Sequence, residues 1–568
     1  LGAKILWDRI KEPGLDPLSP GNPFMITAGP LSGFPITAVG RHTTYCKSPM
    51  TSPIESKYPH ASTISYSSCG GFFGPEIKFA GYDSLIFIGR ADSPVYVVIE
   101  DDRVEIRDAR KYWGMMTYAC EKQLMDDLGD RRFEICTVGP AAENGVRYSG
   151  VLHSHGHAAG RGGTGCVMAS KNLKAVAVKG TGMPQAADHE LLLNQIKTLW
   201  ESMRNTEISR YGTGSLVGAS DRGTQAVRNY REGTFLDVGM IGGMTAEQHS
   251  WIRDISCYCC STACKKIAVS RGGKWGKFVS EGPEYETGTL LGTNLMINDH
   301  FGMLKLISLA DDYGYDQISI GNVIGFLMEC YEKGLIDQKF LDGIDLTWGN
   351  VQASSDVMRN IAYRKGNLGE VAIYGVKHLS EVIGQGSEAF ACHSKGHEYA
   401  AHNLHANAIG RTIGYTTNNR GACHRGGRDA IGQNSSIMDN VVAYCTRGAG
   451  SYMRGEVTVN DLLQSITGNT WDSEVFARVG ERIFNLEKCF NYREGFRRPD
   501  DEWVPERFFT EPLTVGPHAG AVVDRKEFID SLNTYYTERE WDQKTSKPSR
   551  EKLVSLGLEY GWKEIANI

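Results

Sequence analysis

No stretch of this 568-residue chain is apolar for long enough to cross a bilayer, so no membrane span is expected. Neither sign of charge dominates: 61 Lys and Arg stand against 67 Asp and Glu, mixed along the chain, and the net charge of −6 leaves no basic stripe for nucleic acid. The text opens at LGAKILWDRI without initiator methionine or secretory leader, and reads as a fragment or processed form. Fourteen cysteines are too few for a disulfide scaffold. A second C-x2-C knuckle, the usual partner in a zinc ribbon, is also missing.

What cysteine there is sits together. In 256-SCYCCSTACKK-266, Cys257, Cys259, Cys260 and Cys264 fall within eight residues. Clustered thiols in a large chain point to a reducing compartment, hence a cytoplasmic protein, and to a metal. Cys257-x2-Cys260-x3-Cys264 can aim three thiolates at one small cluster, with a fourth supplied from far away in sequence. Zinc would accept four sulfurs as well, and buried free cysteines are ordinary core residues. Cys259 is either a bystander or a substitute ligand.

Glycine is abundant, with 66 residues, many in the first third. Up to about residue 180 the chain reads as short β-type runs, SLIFIGRA, VYVVIE and AVAVKG, separated by turn signals such as SCGGFFGPE and GRGGTG. Beyond it, HELLLNQIKTLWESM, HFGMLKLISLADDYG and SEVFARVGERIFNLEKCFN carry apolar residues at helical spacing. The expected class is α+β: a β-rich domain over 1–182, then mostly α-helical domains over 183–393 and 394–568.

Long ordered runs then give the chain a resemblance. DPLSPGNPFMITAGPLSG, GGFFGPEIKFAGYDSLIFIGRA, AAGRGGTGCVMASKNLKAVAVKG, EGPEYETGTLLGTNLMINDH and TNNRGACH resemble the tungsten-containing aldehyde:ferredoxin oxidoreductase family. The resemblance implies a β domain that forms the base for a tungsten (or molybdenum) bis-pterin cofactor, two helical domains over it, and one [4Fe–4S] cluster beside the metal. It implies an anaerobic enzyme that oxidises a small aldehyde to a carboxylate and passes electrons to ferredoxin or a partner subunit.

Residue by residue, the resemblance makes Cys445 in 440-NVVAYC-445 the fourth cluster ligand beside Cys257, Cys260 and Cys264. It sets 311-DDYGYD-316 and 440-NVVAYC-445 as the two pterin motifs, with Asp311, Asp316 and Asn440 as contacts; Asn440 stands where a carboxylate is expected, and Asp439 is one residue away. It assigns Arg161, Gly162 and Gly163 to cofactor phosphate and Arg41 to the space between cluster and cofactor. A magnesium between the phosphates has no assigned ligand, because Ser68 and Cys69 replace the family's pattern. Glu286 and His424 are the implied catalytic pair, the carboxylate orienting the imidazole and raising its pKa, with Glu281 and Glu284 as rival bases. Lys305 and Ser308 occupy the positions of an E-x-x-H site, so any oligomer would lack the family's bridging iron.

Two departures bear on substrate. The stretch 398-EYAAHNLHANAIG-410, with His402 and His405 and preceded by His397, replaces a family segment, and only twenty residues separate His424 from Cys445. They keep a second expectation open: a relative that reduces an activated aromatic ring or an acid derivative. A non-catalytic iron–sulfur electron-transfer subunit and a zinc-stabilised loop are the blander alternatives; neither needs GRGGTG or DDYGYD.

Overall fold

Two sheets fill the first third of the chain. In the computed structural model, which describes residues 1–154, 156–203, 206–446 and 456–568, β1 (Phe24–Ala28), β2 (His42–Lys47), β3 (Ile64–Cys69) and β4 (Ser84–Phe87) form an antiparallel sheet ordered β3-β2-β1-β4. β5 (Val95–Glu100), β6 (Arg103–Asp108), β7 (Glu134–Thr137), β8 (Val151–His153), β9 (His157–Ala159) and β10 (Leu173–Lys179) form a second, ordered β6-β5-β10-β7-β8-β9. β10 lies parallel to β5 and antiparallel to β7, and all seven of its residues are buried. A strand covered on both faces needs no polar alternation, which is why LKAVAVK reads as a nearly continuous apolar run. Phe24 and Ile26 of the first sheet and Val97 and Val176 of the second share one core with Phe73 and Val138.

From His189 onward the chain is mostly helical, as the α+β reading expects. One element departs from it. β11 (Trp251–Ile255), β12 (Lys265–Arg271) and β13 (Lys277–Glu281) form a three-stranded antiparallel sheet, and the cysteine-rich loop is the connection between β11 and β12. β11 and β13 face solvent over much of their length, so they lack the apolar alternation by which a strand is recognised in sequence.

The motif DDYGYD folds as a tight corner between two helices. The helix His300–Tyr313 ends on Gly314 in the left-handed region at φ +82°, and a Cβ there would meet the Gly139 nitrogen at 2.8 Å. Two residues on, Asp316 caps the helix Gln317–Glu332 by accepting from the Ile318 N–H at 3.0 Å. The second of these helices is buried from Gln317 through Cys330 and runs through the middle of the molecule.

Buried charge ties distant segments together. Lys47 on β2 lies 2.6 Å from Glu494, the last residue of the helix Ser473–Glu494, and both side chains are wholly buried. Glu494 also accepts from the backbone N–H groups of Gly14 and Ser62. Removing one partner of such a pair strands the other charge, at a cost of about 3–5 kcal/mol. Lys47→Met is therefore expected to lower the urea unfolding midpoint sharply, and Lys47→Met combined with Glu494→Gln to recover most of the loss.

Candidate active site

The thiols come together from two ends of the sequence. Between β11 and β12 the loop turns tightly: the Cys260 N–H donates to the Cys257 carbonyl at 3.1 Å, and the Tyr258 N–H reaches back to Gly71 at 3.1 Å. Cys445 is brought alongside by its own N–H on the Ala38 carbonyl at 2.8 Å. Burial pushes the Cys257 thiol up to about 12, with Cys260 and Cys445 adding to the rise. Cys264 is pushed well up by burial, then by Glu284, Cys445, Cys257 and Cys260. Four thiols thus share one electrostatic neighbourhood, in which Cys257 and Cys264 resist ionisation until a cation is present. They do not close on a single point. Among the described residues the one set of three or more ligand atoms within 4.8 Å of one another is His42, Cys69 and His153. A spread set of four thiols suits a polynuclear cluster better than one tetrahedral ion. Cys259 is exposed, unlike the other four, and its carbonyl accepts from Trp200 Nε1 at 3.3 Å.

Arg41 stands against this group. Its Nη2 donates to Cys445 Sγ at 3.5 Å and its Nη1 to the carbonyl and hydroxyl of Ser68 at 3.2 and 3.4 Å. Thr37 Oγ1 lies 3.8 Å from Cys260 Sγ, and His157 Nε2 lies 3.6 Å from Cys257 Sγ.

Glu286 and His424 meet, although 138 residues apart (424 − 286 = 138): Oε1 lies 3.7 Å from His424 Nδ1. Glu286 sits in the first turn of the helix Tyr285–Leu290, and its Oε2 accepts from the Ala401 N–H at 2.8 Å. His402 Nδ1 lies 3.7 Å from the same Oε1, its ring stacked on that of His424 at 6.2 Å between centroids. The charge state differs from the sequence expectation. His424 is held well below the ordinary imidazole value by burial, then by His402, Arg425, Arg161 and Arg411, so it is neutral. One nearby carboxylate is outweighed by desolvation and three guanidinium groups.

The rival bases have other partners. Glu281 pairs with Lys265 at 2.5 Å, and Glu284 caps the helix Tyr285–Leu290 while accepting from Thr213. His405 is engaged by Asn403 Oδ1 at 2.8 Å and His397 by the Arg420 carbonyl at 2.9 Å, which leaves His402 as the histidine of that stretch beside the pair.

Around His424 the cations outnumber the carboxylates that answer them. Arg425 is pushed down to about 10 by burial and by Arg41, against the opposing pull of Cys445, Cys423 and Asp439. Asp439 is raised to about 6 by burial despite Arg425 and Arg41. Arg411 Nη1 donates to the His424 carbonyl at 3.2 Å.

The expected cofactor contacts are placed unevenly. Asp311 is buried, accepting from Gln317 Nε2 at 2.5 Å and from the Tyr118 hydroxyl at 3.2 Å, and burial with nearby Glu281 raises it far above the usual carboxylate range. Asp316 and Arg161 hold each other at 3.1 Å. Arg161 is also a cross-link: its Nη2 donates to the carbonyls of Glu398 at 2.6 Å and Ala422 at 2.8 Å, while its Nε is buried without a hydrogen-bond partner. Gly162 and Gly163, at φ +80° and +78°, bring the chain against protein, since a Cβ would meet Ser65 Oγ at 2.0 Å and the Arg147 carbonyl at 2.2 Å. Asn440 lies on the helix Ala430–Val441 and its amide donates to the Ser436 carbonyl at 3.1 Å. The carboxylate that faces Arg41 and Arg425 is Asp439, and it, Arg425, Arg411 and His402 are the residues that sequence reasoning did not assign. The only signal for them was their closeness to assigned positions.

Comparison with known proteins sets the chain in a family. Residues 1–180 match the family described as aldehyde ferredoxin oxidoreductase, N-terminal domain, and residues 190–558 match aldehyde ferredoxin oxidoreductase, domains 2 & 3. The tungsten-containing aldehyde ferredoxin oxidoreductase of Pyrococcus horikoshii is 34% identical over 583 residues, covering 96% of this chain and 92% of that protein. A Pyrococcus furiosus protein named aliphatic sulfonate oxidoreductase, WOR-like subunit, is 30% identical over 606 residues, covering 100% of this chain and 93% of that protein. Among solved structures, the active site complex BamBC of benzoyl coenzyme A reductase with 1,5 dienoyl-CoA superposes with a TM-score of 0.81 over 100% of this chain and 93% of that chain; at 23% identity this is a likeness of fold. With both family segments matched in order along almost the whole chain, the protein belongs to the aldehyde ferredoxin oxidoreductase family and is an oxidoreductase.

Proposed function

We propose that this enzyme oxidises an aldehyde to a carboxylate at a tungsten (or molybdenum) bis-pterin centre, with electrons leaving through a [4Fe–4S] cluster to ferredoxin or a partner subunit. The observation that carries the reading is the Glu286–His424 pair, 3.7 Å apart inside a cation-rich pocket next to four converging thiols. The residues suit an anionic cofactor. Nε of Arg41, Arg161, Arg411 and Arg420 are all buried without a hydrogen-bond partner, and such donors call for acceptors that the protein does not supply. Arg41, Arg161, Gly162, Gly163, Asp311, Asp316 and Asn440 are the proposed contacts, joined by Arg425 and Asp439. Cys257, Cys260, Cys264 and Cys445 are the proposed cluster ligands. No magnesium ligand is proposed. We place the enzyme in the cytoplasm, with the domain limits 1–182, 183–393 and 394–568.

Aldehyde oxidation adds one oxygen from water, releases two electrons and gives three protons with the carboxylate. When bound, the metal centre takes up the electron pair and the cluster passes it on singly. The protein's own part is the protons. A neutral His424 can accept a proton as water's oxygen is added to the carbonyl carbon, and Glu286, anchored by the Ala401 N–H, then stabilises the imidazolium. His402 beside the same carboxylate favours a second reading, in which the site reduces an activated aromatic ring or an acid derivative: a third titratable group can deliver protons in that direction.

Elemental and pterin analysis of anaerobically purified protein tests the proposal. About one tungsten or molybdenum and at least four cluster irons per chain are expected; iron without pterin or either metal would overturn it. His424→Gln is expected to lower kcat by about a hundredfold to ten-thousandfold with metal content unchanged. Because His424 is held below the ordinary imidazole value of about 6.5, it stays neutral as pH falls to that point. The rate should hold across that range and decline only on its acid side; a wild-type limb centred above it and absent from His424→Gln would contradict the assignment. Cys445→Ser should lose cluster iron and visible absorption, whereas Cys259→Ser should retain both.

A further inference from the structure

Each N-terminal sheet presents one histidine–cysteine pair to the same point. On the first, His42 of β2 is directly opposite Cys69 of β3. On the second, β7 and β8 pair antiparallel through Thr137 and Leu152, so one step along the ladder Cys136 stands opposite His153. Partners opposite each other on neighbouring strands project to the same face. The four side chains are therefore brought together by strand register rather than by a loop, and all are buried: His42 and Cys136 are 0% exposed, Cys69 and His153 1%.

We propose that His42, Cys69, Cys136 and His153 form a binding site for one divalent ion of the zinc or ferrous type, joining the two sheets behind the cysteine loop. Ligand atoms of His42, Cys69 and His153 already lie within 4.8 Å of one another, and Cys136 Sγ is 3.9 Å from His42 Nε2. A tetrahedral zinc with two nitrogens and two sulfurs spaces its ligand atoms by about 3.3–3.8 Å, from its Zn–N and Zn–S bond lengths.

Three further observations point to an ion. Nδ1 of His42 is buried without a hydrogen-bond partner. His153 Nδ1 lies 3.0 Å from Ser154 Oγ, which donates to Glu134 Oε2 at 2.7 Å. That is the outer anchoring by which metal-bound imidazoles are oriented; Nε2, which now donates to the Gly70 carbonyl at 2.7 Å, becomes the ligand atom once it gives up that proton and bond to the ion. Finally, Phe73 packs against the His42 and His153 rings, so the pocket is closed to water. Two thiolates and a divalent ion sum to zero charge, the state a dry core favours. The location is specific: a Cβ on Gly70 would lie 2.9 Å from Cys257 Sγ, which sets the site immediately behind the thiols proposed for the cluster.

The test uses the whole protein purified without oxygen, with anomalous diffraction collected at the zinc and iron edges. One peak between β2, β3, β7 and β8 is expected, separate from the cysteine loop; the edge at which it appears tells zinc from iron. His42→Gln and Cys136→Ser should each reduce its occupancy tenfold or more, by metal count per tungsten, while tungsten content holds. Wild-type protein without a peak there overturns the proposal, and so does full occupancy in both variants. Since the wild-type map decides alone, a variant that fails to fold does not spare it.

Discussion

Arg41, Arg161, Arg411 and Arg425 bring four guanidinium groups to the space between His424 and the cysteine loop, and the protein's carboxylates answer only part of their charge. Asp316 pairs with Arg161, while Asp439 and Glu286 are the other acids in reach. Removing an ion from water costs several kcal/mol even after relaxation. A fold that gathers cations in this way depends on a rigid surround and favours an anionic occupant. Burial together with the same field holds His424 neutral and depresses Arg425.

The surround is built from elements that have their own reasons to be where they are. Arg161 leaves β9 and joins Asp316 at a helix corner to the carbonyls of Glu398 and Ala422, so one side chain fixes the sheet domain against two later segments. Lys47 and Glu494 perform the same service on the other side. Glu286 is carried on a short helix and His424 on a loop. Membership in the aldehyde ferredoxin oxidoreductase family fits this division, with a sheet base below and helices above.

Much of this architecture is legible in the order of the residues. The β-then-helix order follows from patterning, because β10 is covered on both faces and reads as apolar, while helices such as His300–Tyr313 repeat their apolar residues at helical spacing. The cysteine spacing singles out Cys257, Cys260 and Cys264 because residues on one loop are local in sequence. The sheet β11–β13 is not legible in this way, since its outer strands meet solvent and are held by backbone pairing that no side-chain pattern records.

The class of fold, the family and the chemical types present at the site are therefore readable from the order of residues, each being a property of residues near one another in the chain. Tertiary structure alone decided how they are held. The Cys445 N–H bonds to the Ala38 carbonyl, Asp439 rather than Asn440 faces the arginines, and Arg161 also serves as a cross-link. The charge of His424 was settled in the same way. Burial and the field of distant residues are sums over three-dimensional surroundings, and those sums have no counterpart in the order of the letters.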